Sequence, residues 1–293
     1  VNTDLLRLRE DRVHGLPTYP VSIYEVSETD GKVLFDCHWH DELEFILITE
    51  GIVRVQLDIS EYELRPGQAV FVNSGILHGA FSGDPAGRCS LYSVVFHPEF
   101  LASRNNDILQ QQYLEPLIRN QFRLSPIFRG TTDAEQTLIS HLQAIIKTNI
   151  EQEAAYEMIT KSRLYMMLAL MLADRKPTSA PSRSEALRIE RLKQVLSYIH
   201  RHYQEPIRIK DLAEELNMSE EHFCRFFKKM MKRSAVSYIN EYRMQQAKML
   251  LTETDSKILD VALQVGFDNL SYFITVFKQH HGITPSQYRK LHA

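Results

Sequence analysis

What most constrains this chain is a unit that occurs twice near its end. KDLAEELNMSEEHFCRFFKKM, from Lys210 to Met230, and LDVALQVGFDNLSYFITVFKQHHG, from Leu259 to Gly282, follow one plan. A short amphipathic helix (Leu212, Ala213, Leu216; Val261, Ala262, Val265) runs into a tight turn, at Asn217–Ser219 or Gly266–Asp268. A second helix then carries Phe223, Phe226 and Phe227, or Phe273, Val276 and Phe277. Ala213 and Ala262 are 49 residues apart, and the Phe-Lys pairs at Phe227 and Phe277 are 50 apart. A small residue inside the first helix lets the two helices cross closely at the steep angle of a helix-turn-helix, and Gly266 permits a turn with positive φ. Ser219 is placed to cap the second helix of the first copy, and Asp268 or Asn269 that of the second.

The second helices each leave a polar face outside the core. The first offers Glu220, Glu221, His222, Arg225, Lys228 and Lys229; the other offers Asn269, Ser271, Tyr272, Thr275, Lys278 and Gln279. Residues early in such a helix reach base edges in a major groove, while lysines nearer its end suit phosphates. The helix predicted between the copies, Ala235–Leu251, would set two readers in adjacent major grooves, about 34 Å apart. A helical bundle with a merely solvated surface is the plainer alternative, and matched anchors in both copies argue against it.

The net charge of −3 over 293 residues hides an asymmetry. Up to Ala186 there are 17 Lys and Arg against 25 Asp and Glu, a net of −8; from Leu187 onward there are 17 against 12, a net of +5. The relevant field is local, so the end that carries the repeat is the one suited to DNA. The change falls at DRKPTSAPSRSEA (Asp174–Ala186), the most linker-like stretch of the chain.

SYFITVFKQHHGITPSQYRK (Ser271–Lys290), preceded by VALQVGF, resembles the AraC/XylS family of bacterial transcription regulators, as do LAEELNMSEEHFCRFFKK and YINEYRMQQAKMLL upstream. The resemblance covers about residues 190 to 292, and the ending from Gly282 to Arg289 is its most specific part. It implies base contacts from Glu221, His222 and Arg225 and from Asn269, Ser271, Tyr272 and Thr275. Phosphate contacts would come from Lys228, Arg243 and Lys278. The position of Thr275 often carries Arg in this family, so the second reader lacks a bidentate donor to guanine.

Between Val21 and Val95 the text changes to short strands rich in Val, Ile, Phe and Tyr, such as LEFILITEG, IVRVQLD and CSLYSVVFH, separated by Gly and Pro. That rhythm predicts a sandwich or barrel. His38 and His40 lie at i and i+2 of a predicted strand, Glu44 follows at an even offset, and His78 comes just after the turn at Gly75. Three imidazoles and a carboxylate converging in a small barrel suit Zn, Fe, Mn or Ni. Without a metal they would be hydrogen-bonding groups for a polar ligand, or satisfied core polars. The spacing resembles the two-motif pattern of cupins over residues 20 to 97, with Asn73 in place of the usual Pro. The expected effector pocket comprises His38, His40, Glu44, His78, Tyr24 and Arg54, with Gln56 and Trp39 as weaker members and Trp39 placed outward.

After Pro98 the apolar period becomes helical, over Ile108–Phe122, Asp133–Ile150 and Ala154–Asp174. The last of these is apolar enough (Met158, Ile159, Leu164, Tyr165, Met167, Leu168, Met171, Leu172) to bury more than one face, by internal packing or in a homodimer. The expected α+β chain thus has a cupin-like effector-binding β-barrel with an N-terminal arm at 1–98 and a helical extension with dimerisation region at 99–174. A linker at 175–186 leads to an all-α DNA-binding domain at 187–293, with helix-turn-helix motifs near 208–230 and 257–280.

Cys37, Cys89 and Cys224 are too scattered for a disulfide framework or a paired-thiol zinc site and fit a reducing compartment. The opening VNTDLLRLREDRVHG lacks the apolar core of a secretory signal. The longest apolar run, Leu164–Ala173, is half of what a bilayer span needs. These features predict a soluble cytoplasmic protein without a membrane partner. The leading expectation is a non-enzymatic regulator that binds double-stranded DNA and answers to a small molecule, a sugar favoured by family analogy. The alternatives are a metal-dependent cupin enzyme with a helical appendage and a structural DNA binder whose barrel serves only to dimerise.

Overall fold

A computed structural model of the chain describes residues 10, 12–28, 33–83, 87–103, 107–173, 176–177 and 183–292. They fall into two compact units, one from Glu10 to Glu185 and one from Ala186 onward. The expected N-terminal arm lies mostly outside the described residues, as does most of the expected linker.

The first unit is built on antiparallel strands: β1 (Val21–Glu28), β2 (Val33–His38), β3 (Leu43–Glu50), β4 (Val53–Leu57), β5 (Ser60–Leu64), β6 (Ala69–Val72), β7 (His78–Ser82), β8 (Cys89–Phe96), β9 (Phe122–Arg123), β10 (Ile127–Phe128) and β11 (Lys176–Pro177). One sheet has the order β1-β8-β3-β6-β10, a second has β2-β7-β4-β5, and β11 pairs with β9 alone. Strand β3 shows how the two sides of the larger sheet are used. Phe45 and Leu47 join the core shared with the helices, whereas Ile46 and Ile48 join the core that also holds Val53, Val55, Leu64 and Ala80 of the smaller sheet. Successive side chains point to opposite faces, so Glu44 shares the intersheet side of Ile46 and Ile48. The same count puts Ser93 on the side of Leu91, and His78 on the side of Ala80.

Helices α1 (Glu115–Ile118), α2 (Asp133–Ile150) and α3 (Tyr156–Ala173) complete this unit. Leu142, Ile145 and Ile146 of α2 and Leu164, Met167 and Leu168 of α3 cover the outer face of the larger sheet. Helix α2 has the bounds that its periodicity predicts, and Thr132 caps it by accepting from the Glu135 amide. The helix expected over Ile108–Phe122 is shorter. It ends at Ile118, because Asn120 takes a left-handed conformation (φ 54°) and Phe122 enters β9.

The second unit is all helical: α4 (Arg183–His202), α5 (Ile209–Glu215), α6 (Glu220–Met231), α7 (Ala235–Glu253), α8 (Ile258–Gln264), α9 (Leu270–His281) and α10 (Pro285–His292). Helix α4 starts four residues before the expected start of the domain at Leu187. Ser184, Glu185 and Ala186 continue into the amphipathic run that buries Leu192, Val195, Leu196 and Ile199, so the end of the expected linker is helix. Helix α7 touches α6 on one side and α8, α9 and α10 on the other. It contributes Met244, Ala247 and Leu251 to the core that buries Phe273 and Phe277. The phenol of Tyr238 on α7 meets His200 Nε2 of α4 at 2.8 Å. Among the described residues, no helix is long and apolar enough to cross a membrane.

Candidate functional site

The two helix-turn-helix units share local chemistry as well as pattern. Ser219 caps α6 by accepting from the His222 amide, and Asn269 caps α9 by accepting from the Tyr272 amide. The turns need one residue with positive φ, supplied by Asn217 (φ 52°) in the first and Gly266 (φ 85°) in the second. Asn is among the few side chains that tolerate this region. From turn residue to turn residue the offset is 49, and from cap to cap it is 50, so the second turn is one residue longer.

The faces that result are open. Glu221, His222, Arg225 and Lys228 on α6 are exposed, as are Ser271, Tyr272, Thr275 and Lys278 on α9 with its cap Asn269. Arg225 Nη1 donates to Glu221 Oε1 at 3.1 Å. At the matching position Thr275 donates to the Ser271 carbonyl at 2.9 Å. Asn269 spends its Oδ1 on the cap, leaving its amide Nδ2 for any further contact.

Arg243 stands apart from the other expected DNA contacts. It is only partly exposed; Nε donates to the Tyr203 carbonyl at 2.8 Å and Nη2 to the Glu205 carbonyl at 2.7 Å. The guanidinium also lies 5.4 Å from the Phe267 ring centroid. It fastens the segment after α4 to the second turn, an inward use that its position in a resemblance does not reveal.

In the barrel, the structure brings His38, His40, His78 and Glu44 together. One ligand atom from each histidine lies within 4.8 Å of the others, and Glu44 Oε2 is 2.9 Å from His78 Nε2 and 3.2 Å from His40 Nε2. They do not share one strand as the spacing alone implied. His38 closes β2, His40 sits beyond its end, Glu44 opens β3 in the other sheet, and His78 begins β7, where it pairs in register with His38. The chain turns between the sheets at residues 39–42, and Gly75 N donates to the His40 carbonyl at 2.8 Å, tying the two histidine segments. Asn73 donates through Nδ2 to the Leu117 carbonyl at 2.7 Å and to Asn120 Oδ1 at 2.6 Å, anchoring the turn before His78 to the end of α1.

The ring protons are fixed by backbone acceptors. His38 Nδ1 meets the Asp36 carbonyl at 2.8 Å, His40 Nδ1 the Glu42 carbonyl at 3.2 Å, and His78 Nδ1 the Ile76 carbonyl at 2.9 Å. A carbonyl only accepts, so each Nδ1 carries a proton; a neutral ring then turns an Nε2 lone pair inward, whereas His40 Nε2 donates to Glu44 Oε2 at 3.2 Å only when the ring is protonated. This is the outer-shell arrangement that orients histidine ligands in metal sites. Although 2.9 Å from the carboxylate, His78 Nε2 is fully buried and makes no hydrogen bond of acceptable geometry. Ser93 Oγ donates to Glu44 Oε1 at 2.5 Å, which leaves Oε2 for the imidazoles.

Charge follows this geometry. Burial pushes the His38 imidazole down to about 4, with His78 adding to the effect. Burial also opposes charge on His40, but its hydrogen bond to Glu44 and the carboxylate charge outweigh it and raise the pKa. Burial alone would raise the Glu44 carboxyl, yet the nearby His78 and His40 hold it well below the usual range. Ligand atoms at right angles on bonds of about 2.1 Å are about 3.0 Å apart, so the separations at Glu44 fit neighbouring positions around one divalent cation. The residues present therefore fit a metal.

Of the other expected pocket members, Tyr24 stands one step away, its hydroxyl 3.0 Å from Nδ1 of His14. Arg54 is on the outside: it is exposed, paired with Glu61 at 3.7 Å, and its neighbours Val53 and Val55 take the inner positions of β4. Gln56 is buried and 3.8 Å from Cys37 Sγ. Glu10 and His14 were not anticipated. Glu10 Oε2 is 3.5 Å from His38 Nε2 and 3.3 Å from His14 Nε2, and the His14 ring is 5.8 Å from that of His40. Burial would raise the Glu10 carboxyl, but His14 and His38 draw it below its usual value. No periodic or motif signal links residues 10 and 14 to the barrel.

A barrel with a polar, buried interior site, joined in one chain to twin capped helix-turn-helix units, defines a DNA-binding transcription regulator with a ligand-binding domain. Residues 212–291 match a helix-turn-helix domain family, and residues 23–168 match the AraC-like ligand binding domain family. The chain is similar to the HTH-type transcriptional regulator YdeC of Bacillus subtilis, at 28% identity over 98% of this chain and 97% of the relative. It is also similar to YdiP of Escherichia coli, at 25% over 86% and 80%. Among solved structures, the C-terminal domain of the response regulator yesN from Fusobacterium nucleatum matches at 35% identity, covering 34% of this chain and 98% of that one with a TM-score of 0.34. ToxT from Vibrio cholerae matches at 16%, covering 93% and 99% with a TM-score of 0.46. The protein belongs to the AraC family of transcription regulators. These named relatives are regulators, and the expectation of a metal-dependent enzyme finds no support among them.

Proposed function

We propose that the protein binds a specific double-stranded DNA site through both helix-turn-helix units and senses a small polar molecule, sugars being one class, in the barrel. The observation that carries this reading is the pair of exposed, equivalently capped helices α6 and α9 in a segment of net charge +5. Arg225, with Glu221 and His222 beside it, reads bases from α6; Ser271, Tyr272, Thr275 and the Asn269 amide do so from α9. Lys228 and Lys278 bind phosphates. Arg243 supports the second unit from inside and is left out of the phosphate set.

His38, His40, His78 and Glu44 hold a divalent cation. Bound there, the ion supplies a Lewis acid that polarises a hydroxyl or carboxylate oxygen of the effector. An effector controls DNA binding only through a difference in its affinity for two states of the protein. Helix α3, where Met158 and Met166 are exposed, together with the exposed Ile108 and Leu109, forms the face for a homodimer. A second pair of readers would then add avidity. DNA as the partner places the protein in the cytoplasm.

The test is selection of a DNA site by the full-length protein, followed by binding series on variants. Arg225→Ala should relax preference at one base, at a cost of about 1–3 kcal/mol on the preferred sequence. Lys278→Ala should weaken all sequences alike and lower the salt slope by about one. Absence of any sequence preference against random competitor DNA would overturn the proposal.

A further inference from the structure

Glu10 and His14, ahead of β1, lie beside the histidine cluster and add polar groups that the two barrel motifs do not contain. Glu10 N donates to the Trp39 carbonyl at 2.9 Å, which fixes the backbone between His38 and His40. The Arg12 guanidinium stacks over the Tyr24 ring at 4.7 Å, and the Tyr24 hydroxyl meets His14 Nδ1 at 3.0 Å. With that hydroxyl donating, the His14 ring proton sits on Nε2, the atom that lies 3.3 Å from Glu10 Oε2. The same oxygen lies 3.5 Å from His38 Nε2, one of the three ring nitrogens turned inward. His14 is buried, and the segment is held by its own contacts at three points.

We propose that Glu10 is a further ligand of the barrel cation, with His14 beside it, so that metal binding latches Glu10 and residues 12–15 against the site. This rests on the reading that His38, His40, His78 and Glu44 hold an ion. The separation of 3.5 Å from Glu10 Oε2 to His38 Nε2 is of the size found between adjacent ligands of one metal, where about 3.0 Å is the right-angle value. A shared cation turns the same geometry into two bonds. His14 is then a positioning residue: its buried Nε2 lies 3.3 Å from Glu10 Oε2 without hydrogen-bond geometry in this structure and would orient the carboxylate once the cation is bound, and loss of such an outer-shell partner typically changes metal affinity by about 10- to 100-fold.

The experiment uses the full-length protein, stripped with a chelator and titrated with Zn2+ and with Mn2+ against a chromogenic competitor. Glu10→Gln keeps the side-chain shape and the backbone bond to Trp39 while removing the charge. It should weaken metal binding by about 10-fold or more. Hydrogen exchange gives a second readout: metal should slow the amides of residues 12 to 16 in the parent protein and leave them unchanged in Glu10→Gln. His78→Ala, which removes a ligand of the barrel set, should abolish binding. If His78→Ala abolishes binding while Glu10→Gln binds within twofold of the parent, or shows the same metal-dependent protection, the latch is refuted and the barrel site stands. If neither metal binds the parent protein, or if His78→Ala binds as the parent does, both readings fall.

Discussion

Replacing Gly266 by Ala should destabilise the second reader by an amount that can be costed from its surroundings. Gly266 has φ 85°, and a Cβ built on it would lie 2.4 Å from the Tyr203 carbonyl oxygen and 2.9 Å from Arg243 Nη2. The left-handed conformation costs an L residue roughly 1–2 kcal/mol. The clash adds more, because neither neighbour can yield alone. The Tyr203 oxygen accepts from Arg243 Nε, and Arg243 Nη2 is committed to the Glu205 carbonyl. Losing one charged hydrogen bond costs about 1.5–3 kcal/mol. The sum is about 2.5–5 kcal/mol, a large part of the 5–15 kcal/mol that holds a typical domain folded. Gly282 provides the control. Its φ is 77°, but a Cβ there meets nothing within 4 Å, so Gly282→Ala should cost only the conformational part, about 1–2 kcal/mol.

Two compact units make a single global unfolding curve ambiguous, so the assay is native-state hydrogen exchange read on peptides from α8 and α9 in the whole chain. At about 1.4 kcal/mol per tenfold, Gly266→Ala should speed exchange there by about 100-fold or more, and Gly282→Ala by about 10-fold. Equal acceleration by the two variants would refute the reasoning, because it would mean that the carbonyl and the guanidinium give way without cost.

The same clamp separates two roles for Arg243. Arg243→Gln removes the charge as well as the fork that serves two carbonyls, so it should destabilise the helical unit by about 1.5–3 kcal/mol with the salt slope of DNA binding unchanged; a slope lower by one with unaltered stability would restore a phosphate contact. The caps give a smaller, paired effect: Ser219→Ala and Asn269→Ala should each cost about 1 kcal/mol, read as faster exchange in α6 and α9 respectively, and Ser219→Ala without effect on α6 would contradict the cap. Chelation of the barrel metal should lower the thermal midpoint of the first unit, and Glu44→Gln should abolish the difference between stripped and loaded protein. Arg54→Ala, on the outer face of β4, should leave the response to metal and effector unchanged, and a lost response would return Arg54 to the pocket.

Much of this architecture is legible in the chain because local rules act in the same direction as the tertiary structure. Helix α2 begins and ends where its apolar period says it should, and Ser219 and Asn269 are caps both by residue type and in space. The histidine cluster is legible as a set and illegible as a geometry. Even spacing puts His38, His40 and Glu44 on one strand, whereas they converge because the chain leaves one sheet at His38 and enters the other at Leu43. Arg54 shows the limit of alternation: it fixes which residues share a side, and the burial of Val53 and Val55 decides which side is inside. Glu10 and His14 were invisible for another reason. They sit in irregular backbone, and what holds them is contact with residues far along the chain, which no local signal encodes.

The two turns differ in length by one residue. In the first unit the turn residue Asn217 and the cap Ser219 are two apart; in the second, Gly266 and Asn269 are three apart. A longer turn needs more room for its backbone, and Gly266 supplies it by packing its bare Cα against the Tyr203 carbonyl, where Arg243 holds the end of α4. The two readers then differ in chemistry as well as in turn. Arg225 and Glu221 form a charged pair on α6, while Thr275 and Ser271 form a neutral one on α9. A guanidinium fork can choose guanine; a hydroxyl already bonded to its own helix discriminates weakly. If both helices read bases as proposed, single-base substitution across a selected site should cost more under α6 than under α9, and equal costs at the two ends would refute the asymmetry.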